Sequence, residues 1–216
     1  MSKPIPFLNP PLVPTKFATI KYQWEDLRDI IDNNRFPILR HVDQETTYRL
    51  YSQKLKQEWK SVYDFVLHTK FNFGKRLIQR DYGGHQGNSV QSVEEYNYES
   101  IVKQIPTLPE IQSPPKDYVW ESYSAHCVNN NDVEKKMDSQ RLLAKNDFPY
   151  YMEDGIEHWC LWKLGGDDVN DVDINWAKEE LKKKGNITEM MHWINPVHLK
   201  SLPDIDHAHI VCLIKR

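Results

Sequence analysis

Apolar residues recur at helical spacing through the first third of the chain and at strand spacing through the last. Trp24, Leu27, Ile30 and Ile31 fall three and four apart and predict a short helix over about 22–33. After Asp43, read as an N-cap, the residues Tyr48, Tyr51, Leu55, Trp59, Val62 and Val66 keep the same spacing. They line one face of a single helix over about 44–68, whose other face is charged. Toward the C-terminus the period changes. Glu157–Lys163, bounded by Gly155 and by Gly165-Gly166, reads as a strand. Asp173 caps a helix over about 174–184, with Ile174, Ala177 and Leu181 on one face and Gly185 as its stop. Met190–Ile194 is a second strand. Asp206–Ile214 is a third, too apolar for an exposed edge.

The remaining segments are punctuated differently. Pro4, Pro6, Pro10, Pro11 and Pro14 make residues 1–16 an extended arm. Gly74, Gly83, Gly84 and Gly87, followed by Pro106, Pro109, Pro114 and Pro115, mark about 70–116 as a long irregular loop with one short helix near 92–104. The Gly83–Gly87 run lacks the Lys-Ser/Thr ending and the preceding strand of a phosphate loop. Residues 132–145 are read as helical. Together these elements predict one α+β domain over 17–216, with N-terminal helices packed on a small, mainly antiparallel sheet formed by the C-terminal third.

Composition narrows the function classes. The hydrophobic fraction of 39% is low, and 7 Trp, 11 Tyr and 7 Phe supply the missing buried area. A net charge of -3 argues against a broad nucleic-acid surface. No stretch reaches the ~20 apolar residues of a membrane span. The start lacks the apolar core of a signal peptide, and Ser2 excludes myristoylation. Cys127, Cys160 and Cys212 are too few and too scattered for a disulfide framework or a cysteine-only zinc site. The expectation is a cytoplasmic protein with reduced thiols and no membrane or nucleic-acid partner.

The candidate chemistry lies in the histidines. Alternation along a strand puts His207, His209 and Val211 on one face of the last strand, and His158, Cys160 and Trp162 on one face of the 157–163 strand. Antiparallel pairing of the two brings His158 near His207 or His209. Such rings serve nucleophilic chemistry at phosphorus, bind a phosphorylated ligand, or bind metal. They also occur as half-buried rings bonded to carbonyls. For metal, two histidines and an uncertain third fall short of a closed site, with Asp204, Asp206 or Glu157 as possible carboxylates, so no metal site is assigned. Asn195, Ser201 and Trp162 are the candidate ligand-binding residues.

Two motifs carry a resemblance. Asn146-Asp147-Phe148-Pro149-Tyr150 precedes Gly155-Ile156-Glu157-His158 and Leu161-Trp162; Trp193-Ile194-Asn195-Pro196 precedes Lys200-Ser201-Leu202 and His207-Ala208-His209-Ile210. In this order they resemble the fungal N-acetylglucosamine-induced protein 1 family, a domain of unknown function. The resemblance implies a cytoplasmic protein of the amino-sugar response and supplies no catalytic residues. The order Asn195, Ser201, His207-x-His209 also resembles the histidine-triad superfamily. That likeness implies His209 as a nucleophile for nucleotidyl transfer, with Val211 standing where that superfamily carries His or Gln. The leading expectation is a protein that binds a phosphorylated sugar or nucleotide. The alternatives are a nucleotidyl transferase or phosphoester hydrolase using His209, His207 and His158, and a metal-dependent enzyme using the same rings.

Overall fold

The computed structural model describes residues 16–81, 111–123, 140–165, 167–200, 202 and 205–215. The proline-rich arm, the short helix expected near 92–104 and Ser201 lie outside the described residues. The architecture is α+β. Helix α1 (Trp24–Asp32) buries Trp24 and Leu27, and the predicted spacing is realised. The longer expected helix is two helices, α2 (Val42–Glu58) and α3 (Val62–Phe71). The break falls at Trp59, which turns extended, while the Lys60 N–H donates to the Trp120 carbonyl at 2.8 Å. Ser61 restarts the helix as N-cap, its hydroxyl accepting from the Asp64 N–H at 3.0 Å. His41, rather than Asp43, caps α2.

Two antiparallel sheets follow. The smaller pairs β1 (Gly74–Gln79) with β2 (Tyr118–Tyr123). It corrects the expectation of an irregular segment from residue 70 onward. Its anchor is Asp64 of α3, whose carboxylate accepts from the Ser122 N–H at 2.9 Å and the Ser122 hydroxyl at 3.0 Å. The larger sheet has four strands in the order β3-β4-β6-β5: β3 (Arg141–Lys145), β4 (Ile156–Lys163), β5 (Ile187–Trp193) and β6 (Asp206–Ile214). Residues 141–145, expected to be helical, form the β3 edge instead, with Leu142 opposite Trp162 and Ala144 opposite Cys160. Helix α4 (Asp171–Lys182) crosses between β4 and β5, capped by Asn170 and stopped at Gly185 with φ +78°.

The central strands β4 and β6 are buried on both faces. Trp159, Leu161, Ala208, Ile210 and Cys212 point to α4 and meet Ile174, Ala177 and Leu181. The opposite face carries His158, Cys160, Trp162, His207, His209 and Val211, paired His158–Val211, Cys160–His209 and Trp162–His207. One end of that face, Val211 and Trp193, packs on Trp24 and Leu27 of α1. The other end, at Trp162, meets the α2–α3 core of Tyr51, Leu55 and Phe65. Two helical blocks thus cover the ends of the histidine face, and its middle borders a cavity. None of the described helices is long and apolar enough to cross a membrane.

Candidate functional site

The register of β4 against β6 sets the site. Cys160 stands directly opposite His209 and His158 opposite Val211, so the diagonal brings the two imidazoles together. His158 Nε2 lies 3.0 Å from His209 Nδ1, and Cys160 Sγ lies 3.7 Å from the same atom. All three residues are buried, with relative exposures of 4%, 3% and 6% for His158, Cys160 and His209. Tyr150 stacks on His158 at 5.0 Å between centroids, and Trp193 stacks on His209 at 5.1 Å.

The hydrogen bonds assign the tautomers. The Trp193 indole N–H has only donor character, and it donates to Asn195 Oδ1 at 3.0 Å. That fixes the Asn195 amide with Nδ2 toward His209 Nε2 at 2.9 Å, so Nε2 accepts. The His209 proton therefore sits on Nδ1 and is donated to His158 Nε2. Burial pulls the His158 pKa down to about 3, with the Arg40 guanidinium adding to the shift. Burial also holds His209 well below the usual histidine value, followed by the effects of His158, His207 and Arg40. Burial pushes the Cys160 thiol up to about 12. At neutral pH the cluster is two neutral rings, each with its own proton and joined by one N–H···N hydrogen bond, beside a protonated thiol.

His207 is placed differently. Its Nδ1 donates to the Ile205 carbonyl at 3.0 Å, and its ring stacks on Trp162 at 4.9 Å and meets His209 edge-on at 5.4 Å. Burial lowers its pKa, so it too is neutral. Of the six residues singled out from the sequence, five converge here: His158, His207, His209, Asn195 and Trp162. Nucleophilic attack by His209 requires the Nε2 lone pair, which the Asn195 amide occupies in this arrangement.

Above the rings lies a cavity of about 470 Å³ between α2, α3, the 145–150 segment and the sheet. Its lining includes four basic residues, Arg40, Lys56, Lys70 and Lys145, against one acidic residue, Asp147. Arg40 is held from several sides. Its Nε donates to the Phe148 carbonyl at 3.0 Å, its Nη1 pairs with Glu45 at 3.0 Å, and its guanidinium lies 4.4 Å from the Tyr48 ring centroid and 5.3 Å from that of Tyr150. Lys70 pairs with Asp147 at 2.7 Å and Lys145 with Glu157 at 2.6 Å. Sequence reasoning gave no role to Arg40 or Lys70 and placed Tyr48 only on the apolar face of a helix. They come from helices and connections whose distance from the histidines closes only in the fold. Asn146 and Tyr150 were visible as parts of a motif, without roles. Asn146 Oδ1 accepts from the Phe148 N–H at 2.9 Å, shaping the turn that carries Tyr150 over His158.

Comparison with known proteins adds a family. The family model described as "Protein of unknown function (DUF3605)" matches residues 23–213. A protein of Candida albicans, N-acetylglucosamine-induced protein 1, is 22% identical over 205 residues, which is 88% of this chain and 67% of that protein. A solved structure, that of HTC1, aligns over 90% of this chain and 86% of its own with 13% identity and a TM-score of 0.39.

Proposed function

The chain belongs to the DUF3605 family, and from that premise we propose that it is a cytoplasmic binding protein of the amino-sugar response, holding a phosphorylated sugar or nucleotide over the histidine face of the sheet. One observation carries the reading. A single cavity combines Lys56 and three ion-paired cations, Arg40, Lys70 and Lys145, with aromatic rings and neutral hydrogen-bonding groups. The cations suit a phosphate, the ring faces of Tyr48 and Trp162 suit a sugar or base, and His207 and Asn195 suit hydroxyl and amide groups. A volume of about 470 Å³ lies within the ordinary range of small-molecule sites. The relative induced by N-acetylglucosamine directs the choice of ligands toward amino-sugar phosphates and their nucleotide conjugates.

The test is thermal unfolding of the full chain with a panel of hexosamine phosphates and UDP-sugars. A true ligand at 100 times its Kd raises stability by about 2.7 kcal/mol. Lys56, exposed on α2 at the cavity edge, gives the specific check. Lys56→Glu should weaken the best ligand about tenfold, or ~1.4 kcal/mol, while leaving unliganded stability within about 0.5 kcal/mol. If no member of the panel shifts unfolding, or if charge reversal leaves affinity unchanged, the reading fails.

A further inference from the structure

We propose that His158, Cys160 and His209 form a binding site for one divalent transition-metal ion, zinc foremost, with its fourth coordination position facing the cavity. The inference rests on the cluster itself and is independent of the ligand reading. All three ligand atoms lie within 4.8 Å of one another. Tetrahedral zinc, with bonds of about 2.05 Å to nitrogen and about 2.3 Å to sulfur, sets its ligands about 3.3 Å apart for an N···N pair and about 3.6 Å for N···S. The observed separations are 3.0 Å for the two nitrogens and 3.7 Å for sulfur and His209 Nδ1. Two of the three separations thus come within a few tenths of an ångström of those of a bound ion. The third lies within 4.8 Å and closes by movement of the Cys160 side chain, and the ion replaces the hydrogen bond between the rings.

The donor chemistry agrees. Two imidazoles and a thiolate form a borderline-soft set, and three protein ligands with one open position is the pattern of reactive rather than purely structural zinc. Cys160 and His209 line the cavity, which supplies both an entry path and a place for water or ligand in the open position. Cys160 is the third ligand that the histidine pattern alone lacked.

The proton balance is explicit. The Cys160 S–H bond breaks, a metal–sulfur bond forms, and that proton leaves to solvent. The His209 ring keeps one proton, which moves from Nδ1, now on the metal, to Nε2. Nε2–H then needs an acceptor, so the Asn195 amide must turn its Oδ1 toward His209. Its NH2 then faces the Trp193 N–H, two donors with no acceptor between them. This mismatch limits affinity, and it singles out Asn195 as the positioning residue. A carboxylate at that position accepts from both donors and orients the ring as outer-shell carboxylates do.

The experiment uses cobalt(II) as a spectroscopic stand-in, added to the full chain after chelator treatment. One equivalent should bind, with a thiolate-to-cobalt charge-transfer band and intense tetrahedral ligand-field absorption, and zinc should displace it. Cys160→Ala should lose the charge-transfer band, and Asn195→Asp should tighten binding about tenfold. No stoichiometric uptake by the wild-type chain, or an identical spectrum in Cys160→Ala, overturns the site. If Cys160→Ala does not fold, Asn195→Asp decides: unchanged or weaker cobalt affinity overturns the proposal.

Discussion

Replacing Asp173 with alanine should cost about 3–5 kcal/mol, because it strands a buried ammonium. Lys163 Nζ sits 2.9 Å from the Asp173 carboxylate, and the two side chains are only 7% and 6% exposed. Arg141 reaches the same carboxylate at 3.2 Å from the edge strand. The pair ties β4 to the first turn of α4, where Asp173 also accepts from the Asn170 N–H at 3.1 Å. Removing both charges is milder than removing one. A Lys163→Met/Asp173→Leu double variant should recover most of the loss, since a well-packed apolar pair avoids the desolvation of two ions. Denaturant unfolding of the four corners of this cycle checks the claim.

The same group predicts a pH dependence. Burial alone raises the Asp173 carboxyl, but Lys163, the Asn170 N–H and Arg141 outweigh it and hold the group below its ordinary value of 3.8. A carboxyl with a lowered folded pKa binds protons more readily when unfolded. Its stabilisation is therefore complete above the ordinary aspartate range and is lost as pH falls through the folded value. Acid titration of stability should be shallower in the double variant than in the wild type. Equal slopes would show that Asp173 does not contribute.

His209→Ala is the second large effect, at about 2–4 kcal/mol. The substitution removes the ring that Trp193 stacks on and leaves His158 Nε2 and Asn195 Nδ2 without their shared partner. His158 Nε2 keeps the Asn146 amide at 3.3 Å and Asn195 Nδ2 keeps the Tyr150 hydroxyl at 3.5 Å. Each therefore loses less than a fully unpaired buried group, which costs about 1–3 kcal/mol, and the rest of the cost is the space left by the ring. The comparison is His198→Ala, at an exposed position in the Val197–Leu199 turn, which should lie within about 0.5 kcal/mol of wild type. If the two variants unfold alike, the described network does not exist in solution.

Much of the fold could be read from residue spacing, and the failures share a physical origin. Strand β4 was legible from its flanking glycines and β6 from its unbroken apolar run, both local signals. The face assignment His207–His209 with His158–Cys160–Trp162 followed from the pleat alone. The break between α2 and α3 was missed because the apolar spacing runs on through it. The break exists because Trp59 and Lys60 reach β2, far along the chain. Ser61 with Asp64 three residues on was the local clue. Arg141–Lys145 has good helix-forming residues, but pairing with β4 overrides that propensity. At the site, the rings could be placed on one face, but their register could not. A one-residue slip would have sent them to the other side, so the His158–His209 contact awaited the pairing. Arg40 carries no sequence mark at all. It gains its place by bonding to the Phe148 carbonyl across 108 residues.

The most direct test of the ligand site is an imidazole ¹⁵N–¹H spectrum of histidine-labelled full-length protein, titrated with a hexosamine phosphate and with its UDP conjugate. In the chelator-treated protein before ligand, His209 should report a neutral ring protonated at Nδ1, insensitive to pH across the usual histidine range. On saturation, His207 and His209 should shift together while His198 stays fixed. A protonated His209 near neutral pH, or saturating ligand that leaves both cavity rings unmoved, would contradict the account.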